Sequence, residues 1–348
     1  MHTLAVARAV HGIEPLVAAE IQRSGLGSVR ALRHREVWFD TADPGPALLG
    51  LRTADDVLLA AAVVDGIGHD RTALRRLARA ARELDAGSLS GRGPGVEVSA
   101  SFVGRRNYTR FEIEDAVGAE LARRTRLPYH SRAGGGVPPR GSVAWRVTIE
   151  GERALIALRA SGTPLHRRPY KTGSIAGTLH PPLAAAMSQL GRLGEAGTVL
   201  DPCCGAGTTL IEACAFAPRA RLLGLDHAPG VVATAAANAA RAGRQSRLVW
   251  AVADGGRLPV AGASVDRVLV NPPWGRQVPP AGLLARDPGL LWREVRRVLA
   301  DDGVVVALLH DLPQDPRGFE AVRRVAVSLS GRHPVLTVLR KRGRASRG

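Results

Sequence analysis

The sequence predicts an α/β protein whose second half is a Rossmann-like open sheet and whose first half is a smaller α+β region. Two observations carry the sheet. Four apolar runs of strand length, Thr198 to Asp201, Arg221 to Leu225, Leu248 to Ala253 and Val265 to Val270, each deliver a polar residue at the carboxyl end: Asp201, Asp226, Asp254 and Asn271. Ligands bind at that edge of open α/β sheets. Between the first run and the apolar helical stretch Leu210 to Phe216 lies Pro202-Cys-Cys-Gly205-Ala-Gly207-Thr208-Thr. A strand, a glycine turn and a helix start make a site where backbone reaches a ligand closely. The third glycine of a dinucleotide fingerprint is missing, and so is the Lys-Ser/Thr ending of a P-loop. A carboxylate such as Asp226, at the end of the second strand, can take both hydroxyls of a ribose.

The fourth strand runs into Asn271-Pro272-Pro273-Trp274. An amine conjugated to a ring is a poor nucleophile because its lone pair is delocalised. An Asn side-chain oxygen and the next carbonyl can both accept its N–H bonds, which steers the lone pair toward a methyl donor. Proline at the next two positions stiffens the backbone, and the aromatic offers a flipped base a stacking surface. Asn-Pro is also a common turn opener; the four strand ends in order weigh against that reading. Asp266 reads as the polar start of the fourth strand, not as a base.

The remaining elements follow in chain order. Residues 1 to 50 read strand (Leu4 to Ala9), helix (His11 to Ile21) and strand (Glu36 to Asp40). The block 51–164 holds an arginine-rich stripe at Arg71 to Arg82, a strand at Val96 to Phe102 and a helix from Glu112 to Arg124. Further strands are expected at Val143 to Ile149 and Arg153 to Leu158, with a flexible loop, Gly134 to Gly141, before them. Arg105, Arg106 and Tyr108 could pair with phosphates and stack on an RNA end, or form an ordinary solvated turn. A linker at 165–179 precedes the sheet domain at 180–340, whose last strands are expected at Val304 to Leu309, Val325 to Leu329 and Val335 to Leu339. The short gap Ser330 to Pro334 favours an antiparallel final hairpin. A basic tail, 341–348, closes the chain.

The 348 residues leave room for two or three domains. Basic residues outnumber acidic ones 48 to 31, for a formal charge of +17. That excess points to a polyanion partner, RNA rather than membrane, because no basic amphipathic helix with bulky anchors stands out. No apolar run reaches membrane length, and residues 1–10 do not read as a targeting segment. Three cysteines, two adjacent at Cys203-Cys204, give neither a disulfide framework nor zinc-ligand spacing. A cytoplasmic, metal-free monomer is expected.

Asp201-Pro-Cys-Cys-Gly-Ala-Gly-Thr, Gly224-Leu-Asp226, Ala253-Asp254 and Asn271-Pro-Pro-Trp-Gly275 resemble motifs I to IV of class I S-adenosylmethionine-dependent methyltransferases, in their amino-methylating branch. Pro229 to Gly243, with Ala237-Asn238, resembles the RNA guanine-N2 methyltransferases. So do Leu165-His166-Arg167-Arg168-Pro-Tyr170 and Leu179-His-Pro-Pro-Leu-Ala-Ala-Ala-Met187, a segment that joins an RNA-binding THUMP domain to the catalytic domain in that family. Gly12-Ile13-Glu14 echoes the ferredoxin-like leader before THUMP domains. His180 stands where the family has Lys or Arg, Pro182 where it has Thr or Ser, Cys203 where Met is usual, Ala206 where Ser is usual, and Trp274 where Tyr or Phe is commoner.

The resemblance implies a seven-stranded methyltransferase sheet with an antiparallel last hairpin, preceded by ferredoxin-like and THUMP domains. It implies S-adenosylmethionine as donor, held by Asp201, Pro202, Gly205, Gly207, Thr208, Asp226 and Asp254, and a target guanine N2 held by Asn271, Pro272 and Pro273 with Trp274 stacked on the base. Asp201 would orient the donor ammonium, Asp226 its ribose and Asp254 its adenine amine. His166, Arg167 and Arg168 join Arg105, Arg106 and Tyr108 as candidate RNA contacts. The implied substrate is tRNA. Ribosomal RNA is the alternative, and a noncatalytic RNA-binding protein that keeps the fold is a reading from another class.

Overall fold

In the computed structural model the described residues are 2–89, 91–173, 175–273, 278–310, 315–329 and 331–343. The chain divides into two compact units: Met1–Arg8, Ile21–Leu51 and Asp56–Leu165 form one, and Ala9–Glu20, Arg52–Asp55 and His166–Gly348 form the other.

The first unit is a seven-stranded sheet with helices on one face. Its strands are β1 (Thr3–Arg8), β2 (Ser28–Arg33), β3 (Glu36–Thr41), β4 (Asp56–Val64), β5 (Val96–Phe102), β6 (Val143–Glu150) and β7 (Arg153–Arg159), in the order β2-β3-β1-β4-β7-β6-β5. Only β5 and β6 pair in parallel. Alternation decides the faces: Val96, Val98, Val147, Ile149 and Ile156 pack with buried residues of α2 (Thr72–Arg82) and α3 (Arg110–Thr125). A capping box between Thr109 and Glu112 starts α3. The opposite face gathers Val6, Trp38, Leu58, Leu155 and Ala157. There Thr148 on β6 donates to Glu36 on β3 at 3.2 Å, although three strands separate them in the sheet, so the sheet curls strongly. Burial pushes the Arg146 guanidinium on this face down to about 10.

Two expectations are corrected in this unit. The segments before and after residue 50 are not separate folds, because β1 pairs with both β3 and β4. Tyr108 is only 3% exposed, sits in the core and donates its hydroxyl to the Gly68 carbonyl at 2.9 Å. Arg106 donates to the carbonyls of Ile67, Gly68 and Gly151 and to the Tyr108 oxygen. Both residues therefore build the turn: Tyr108 is buried within it, and the half-buried Arg106 spends its guanidinium N–H groups on the turn's own carbonyls. Arg105 remains exposed.

The second unit begins with residues 14–20 of α1 (Glu14–Arg23), followed later in the chain by α4 (Pro181–Leu190), β8 (Thr198–Asp201), α5 (Thr208–Ala213), β9 (Arg221–Asp226), α6 (Pro229–Arg241), β10 (Leu248–Val252), β11 (Val265–Val270), α7 (Leu283–Arg286), α8 (Gly289–Val298), β12 (Leu299–Leu309), β13 (Phe319–Ala326) and β14 (Val335–Lys341). The sheet order is β10-β9-β8-β11-β12-β14-β13, parallel from β10 to β12 and antiparallel at β14 and β13. All four expected strand ends thus share one edge. Asp266 accepts the Gly197 and Thr198 N–H groups at 2.9 and 2.8 Å, pinning the start of β8.

The strand expected at Val325 to Leu329 lies earlier, as β13. Most of β13 is exposed, so it carries little apolar signal, while Ser328 and Leu329 make isolated bridges to His11 and Arg332. Gly12 explains how the chain before α1 lies so close: its φ is +102°, and a Cβ there would sit 1.9 Å from the Ala326 carbonyl oxygen. The tail residues 344–348 and Ser330 lie outside the described residues.

A buried charge cluster fixes the segment after residue 165. Glu212 on α5 is wholly buried and accepts from Arg168 Nε at 2.9 Å, Tyr170 Oη at 2.8 Å and Arg52 Nη1 at 3.3 Å. Burial, then the adjacent Glu212 charge, push the Tyr170 phenol far above its usual range. Arg168 is therefore a structural ion-pair partner, which corrects its reading as an RNA contact. His166 is held too, its N–H and ring bonding the Asp55 carbonyl, with the ring 5.3 Å from that of His180. Burial depresses the His166 pKa. Arg167 stays exposed.

Replacing Glu212 by Ala leaves the buried Arg168 guanidinium uncompensated, a loss of about 3–5 kcal/mol. Urea unfolding of Glu212→Ala should show a correspondingly lower midpoint; an unchanged midpoint contradicts the assignment.

Candidate active site

The carboxyl edge of the second sheet opens into a cleft of about 740 Å³. One wall is the β8–α5 loop. Asp201 ends β8 fully buried and accepts the Cys203 N–H at 3.1 Å and a hydrogen bond from the Thr209 hydroxyl. Burial pushes its carboxyl up to about 7. Asp226, at the end of β9, accepts the Gly205 N–H at 3.0 Å through Oδ2 and the Ala228 N–H at 3.2 Å through Oδ1. Cys204 N–H donates to Leu225 O at 2.8 Å. The loop is thus stitched to the end of β9 by backbone and carboxylate together.

Gly207 precedes α5 with φ +81°, and a Cβ there would lie 2.8 Å from the Trp250 indole and 3.0 Å from the Ala235 methyl. Its glycine is a packing requirement behind the loop. Asn238 on α6 is buried; its Oδ1 accepts the Thr172 and Gly173 N–H groups at 3.2 and 3.3 Å, and its Nδ2 donates to Ala206 O at 3.0 Å. One side chain therefore holds the 172–173 strap against the glycine loop. Its role becomes visible only when the partners are brought together.

Among the expected donor contacts, Pro202, Gly205, Thr208 and Asp226 line the cleft. Thr208 Oγ1 is buried with no hydrogen-bond partner among the described residues, an orphan that a polar group in the cleft would satisfy. Asp201 and Gly207 stand behind the wall and shape it. Asp254 does as well: its Oδ1 accepts Gly256 N–H and its Oδ2 accepts Leu283 N–H, both at 2.8 Å, with His227 Nδ1 at 4.0 Å. Its neighbour Gly255 reaches the wall instead. The carboxylate organises the start of α7, where the expectation was a contact to an adenine amine.

On the other wall, Asn271, Pro272 and Pro273 leave the end of β11 and line the same cleft. Asn271 Nδ2 donates to Gly177 O at 3.2 Å, which fixes the plane of the amide. Trp274 lies outside the described residues. His180 caps the start of α4 and bonds Asp55 through Nε2 at 2.7 Å. His227, His310, Arg332 and His333 complete the mouth; they belong to no motif and sequence reading passed over them.

A parallel sheet of this order, with its glycine loop, a carboxylate after the next strand and Asn-Pro-Pro after β11, defines a class I methyltransferase. Residues 167–315 match the family model described as UPF0020, the RMKL-like methyltransferase domain. The tRNA (guanine(6)-N2)-methyltransferase of Thermus thermophilus is 31% identical over 343 residues, covering 95% of this chain and 97% of that protein. The U6 snRNA (guanine-N(2))-methyltransferase THUMPD2 of Bos taurus is 31% identical over 149 residues, 42% of this chain and 28% of that protein. Among solved structures, TrmN from Thermus thermophilus superposes with a TM-score of 0.79 at 28% identity, over 98% of this chain and 100% of that one. SMU.472 in complex with SAH shares the fold at a TM-score of 0.76 and 16% identity, over 99% of each chain. The chain belongs to the S-adenosylmethionine-dependent RNA guanine-N2 methyltransferase family.

The raised Asp201 pKa has a defined sign. Folded Asp201 holds its proton up to about pH 7, whereas the unfolded residue loses it near 3.8. Its favourable contribution is present at low pH and is lost as pH rises from 4 through 7, at about 1.4 kcal/mol per pH unit. Urea unfolding across that window should show wild type losing stability relative to Asp201→Asn as pH rises; a difference that does not change with pH contradicts the assignment.

Proposed function

We propose that this protein methylates the exocyclic N2 of a guanosine in tRNA. The observation that carries the reading is Asn271-Pro272-Pro273 facing the donor loop across a single cleft. The full-length match to a tRNA guanine-N2 enzyme supports tRNA over the ribosomal and U6 substrates of relatives that align over part of their length.

The donor supplies a methyl group already activated on a sulfonium. The protein's task is to bind, orient and exclude water. Asp226 stands at the strand end where a carboxylate takes ribose hydroxyls, and Gly205 and Thr208 border the same space. Asn271 Oδ1 and the Pro272 carbonyl accept the two N2 protons of the target base, which localises the nitrogen lone pair toward the methyl. Pro272 and Pro273 stiffen this acceptor. The amine loses its extra proton to solvent once it is methylated, so no strong base is required at the site. Trp274 is placed by sequence to stack on the base.

Asn271→Ala should lower kcat on tRNA by 10²-fold or more, in the range of losing a positioned transition-state group, while the donor Kd from calorimetry stays within twofold. Asp226→Ala should raise that Kd at least tenfold. Equal tRNA methylation by wild type and Asn271→Ala would sink the reading.

A further inference from the structure

We infer that Arg332, on the turn between β13 and β14, is the contact for a backbone phosphate of the RNA strand that carries the target nucleotide. The inference rests on the RNA reading above and deepens it. Arg332 is the one Arg or Lys among the described residues lining the cleft, and Asp226, on the donor side, is the one carboxylate. The other titratable residues lining the cleft are His180, His227, His310, His333, Cys203 and Cys204, and burial raises the pKa of both thiols. An arginine is protonated at every working pH and presents a planar fork that matches phosphate oxygens. Arg332 is exposed and makes no ion pair among the described residues, so its guanidinium is available to an incoming anion.

Position argues as strongly as charge. β12 lies between β11 and β14, and Leu309 pairs with Val335. His310 and Pro334 therefore leave the sheet side by side, and the turn stands two strands from Asn271. Two strand spacings are roughly 10 Å, a span comparable with one nucleotide from base edge to phosphate. A base seated against Asn271 brings its own backbone to this turn.

The described residues on either side of Ser330 are tied by backbone hydrogen bonds. Leu329 N–H donates to Arg332 O and Arg332 N–H to Leu329 O, both at 3.0 Å, and Val327 N–H donates to Pro334 O at 2.9 Å. Ser328 N–H donates to His11 O at 3.0 Å, and Gly12 makes room for the close approach at Ala326. Residues before α1 thus brace the turn from outside the sheet. Backbone already held at Leu329 and Arg332 leaves less loop ordering to be done when a ligand arrives.

The test is anisotropy titration of fluorescent total tRNA with wild type, Arg332→Ala and Arg332→Lys between 50 and 300 mM salt, chosen as roughly the range over which phosphate contacts titrate. Donor binding by calorimetry checks that each variant is folded. Arg332→Ala should weaken tRNA binding about tenfold at low salt and reduce the slope of log K against log salt by about one. Arg332→Lys should restore the slope, and donor Kd should not move. An Arg332→Ala slope and affinity equal to wild type overturn the inference, as does wild type that binds no tRNA. Failure of methyl transfer by a wild type that still binds tRNA would count against the guanine-N2 reading alone, and the slope would still decide this one.

Discussion

The structure of the catalytic unit depends on a buried carboxylate. Glu212 sits on α5, the helix that the glycine loop opens, and gathers Arg52, Arg168 and Tyr170 around it. A buried carboxylate without partners would be costly by several kcal/mol, so the segment after residue 165 has to close over it. That closure brings the 172–173 strap to Asn238, which in turn ties it to the loop at Ala206. Gly177, a few residues further on, then accepts from Asn271. Polar contacts at Arg168, Tyr170, Thr172, Gly173 and Gly177 therefore tie this segment in turn to α5, to α6 and to Asn271.

The second constraint is the sheet. Parallel pairing of β8, β9, β10 and β11 obliges their carboxyl ends to share an edge, and this makes four residues scattered over 70 positions of sequence into one neighbourhood. Not all of them face the cleft. Asp226 and Asn271 do, whereas Asp201 and Asp254 are absent from its lining and hold the walls, although Asp226 and Asp254 alike accept backbone N–H groups through both oxygens. Shaping carboxylates and contacting carboxylates have the same sequence signature, a polar residue after an apolar strand. Only their placement relative to the cleft separates them.

Much of this was legible in the sequence, for physical reasons that differ from element to element. Buried parallel strands read as continuous apolar runs, so β8 to β11 stand out, and the short gap after residue 329 predicts the antiparallel end of the sheet. β13 was misplaced because an exposed edge strand has no apolar run to show. β2 carries no signal because none of its residues is buried and neither face is apolar, and the apolar length of β4 does not distinguish strand from helix. Basic residues misled most. Arg106 and Arg168 look like RNA contacts in a chain of charge +17, yet one knits a turn and the other neutralises Glu212. Net charge identifies a polyanion partner without saying which arginines meet it. Arg332 illustrates the converse: it lies in no motif, and its setting appears only once β12 and β14 are paired.

The central claim is that this edge transfers a methyl group to guanine N2 in tRNA. The most direct test is nucleoside mass spectrometry of total tRNA, ribosomal RNA and a DNA control after incubation of wild-type protein with isotopically labelled donor. Labelled N2-methylguanosine should appear in the tRNA pool. Label in a different nucleoside, or N2-methylguanosine confined to ribosomal RNA, would contradict it.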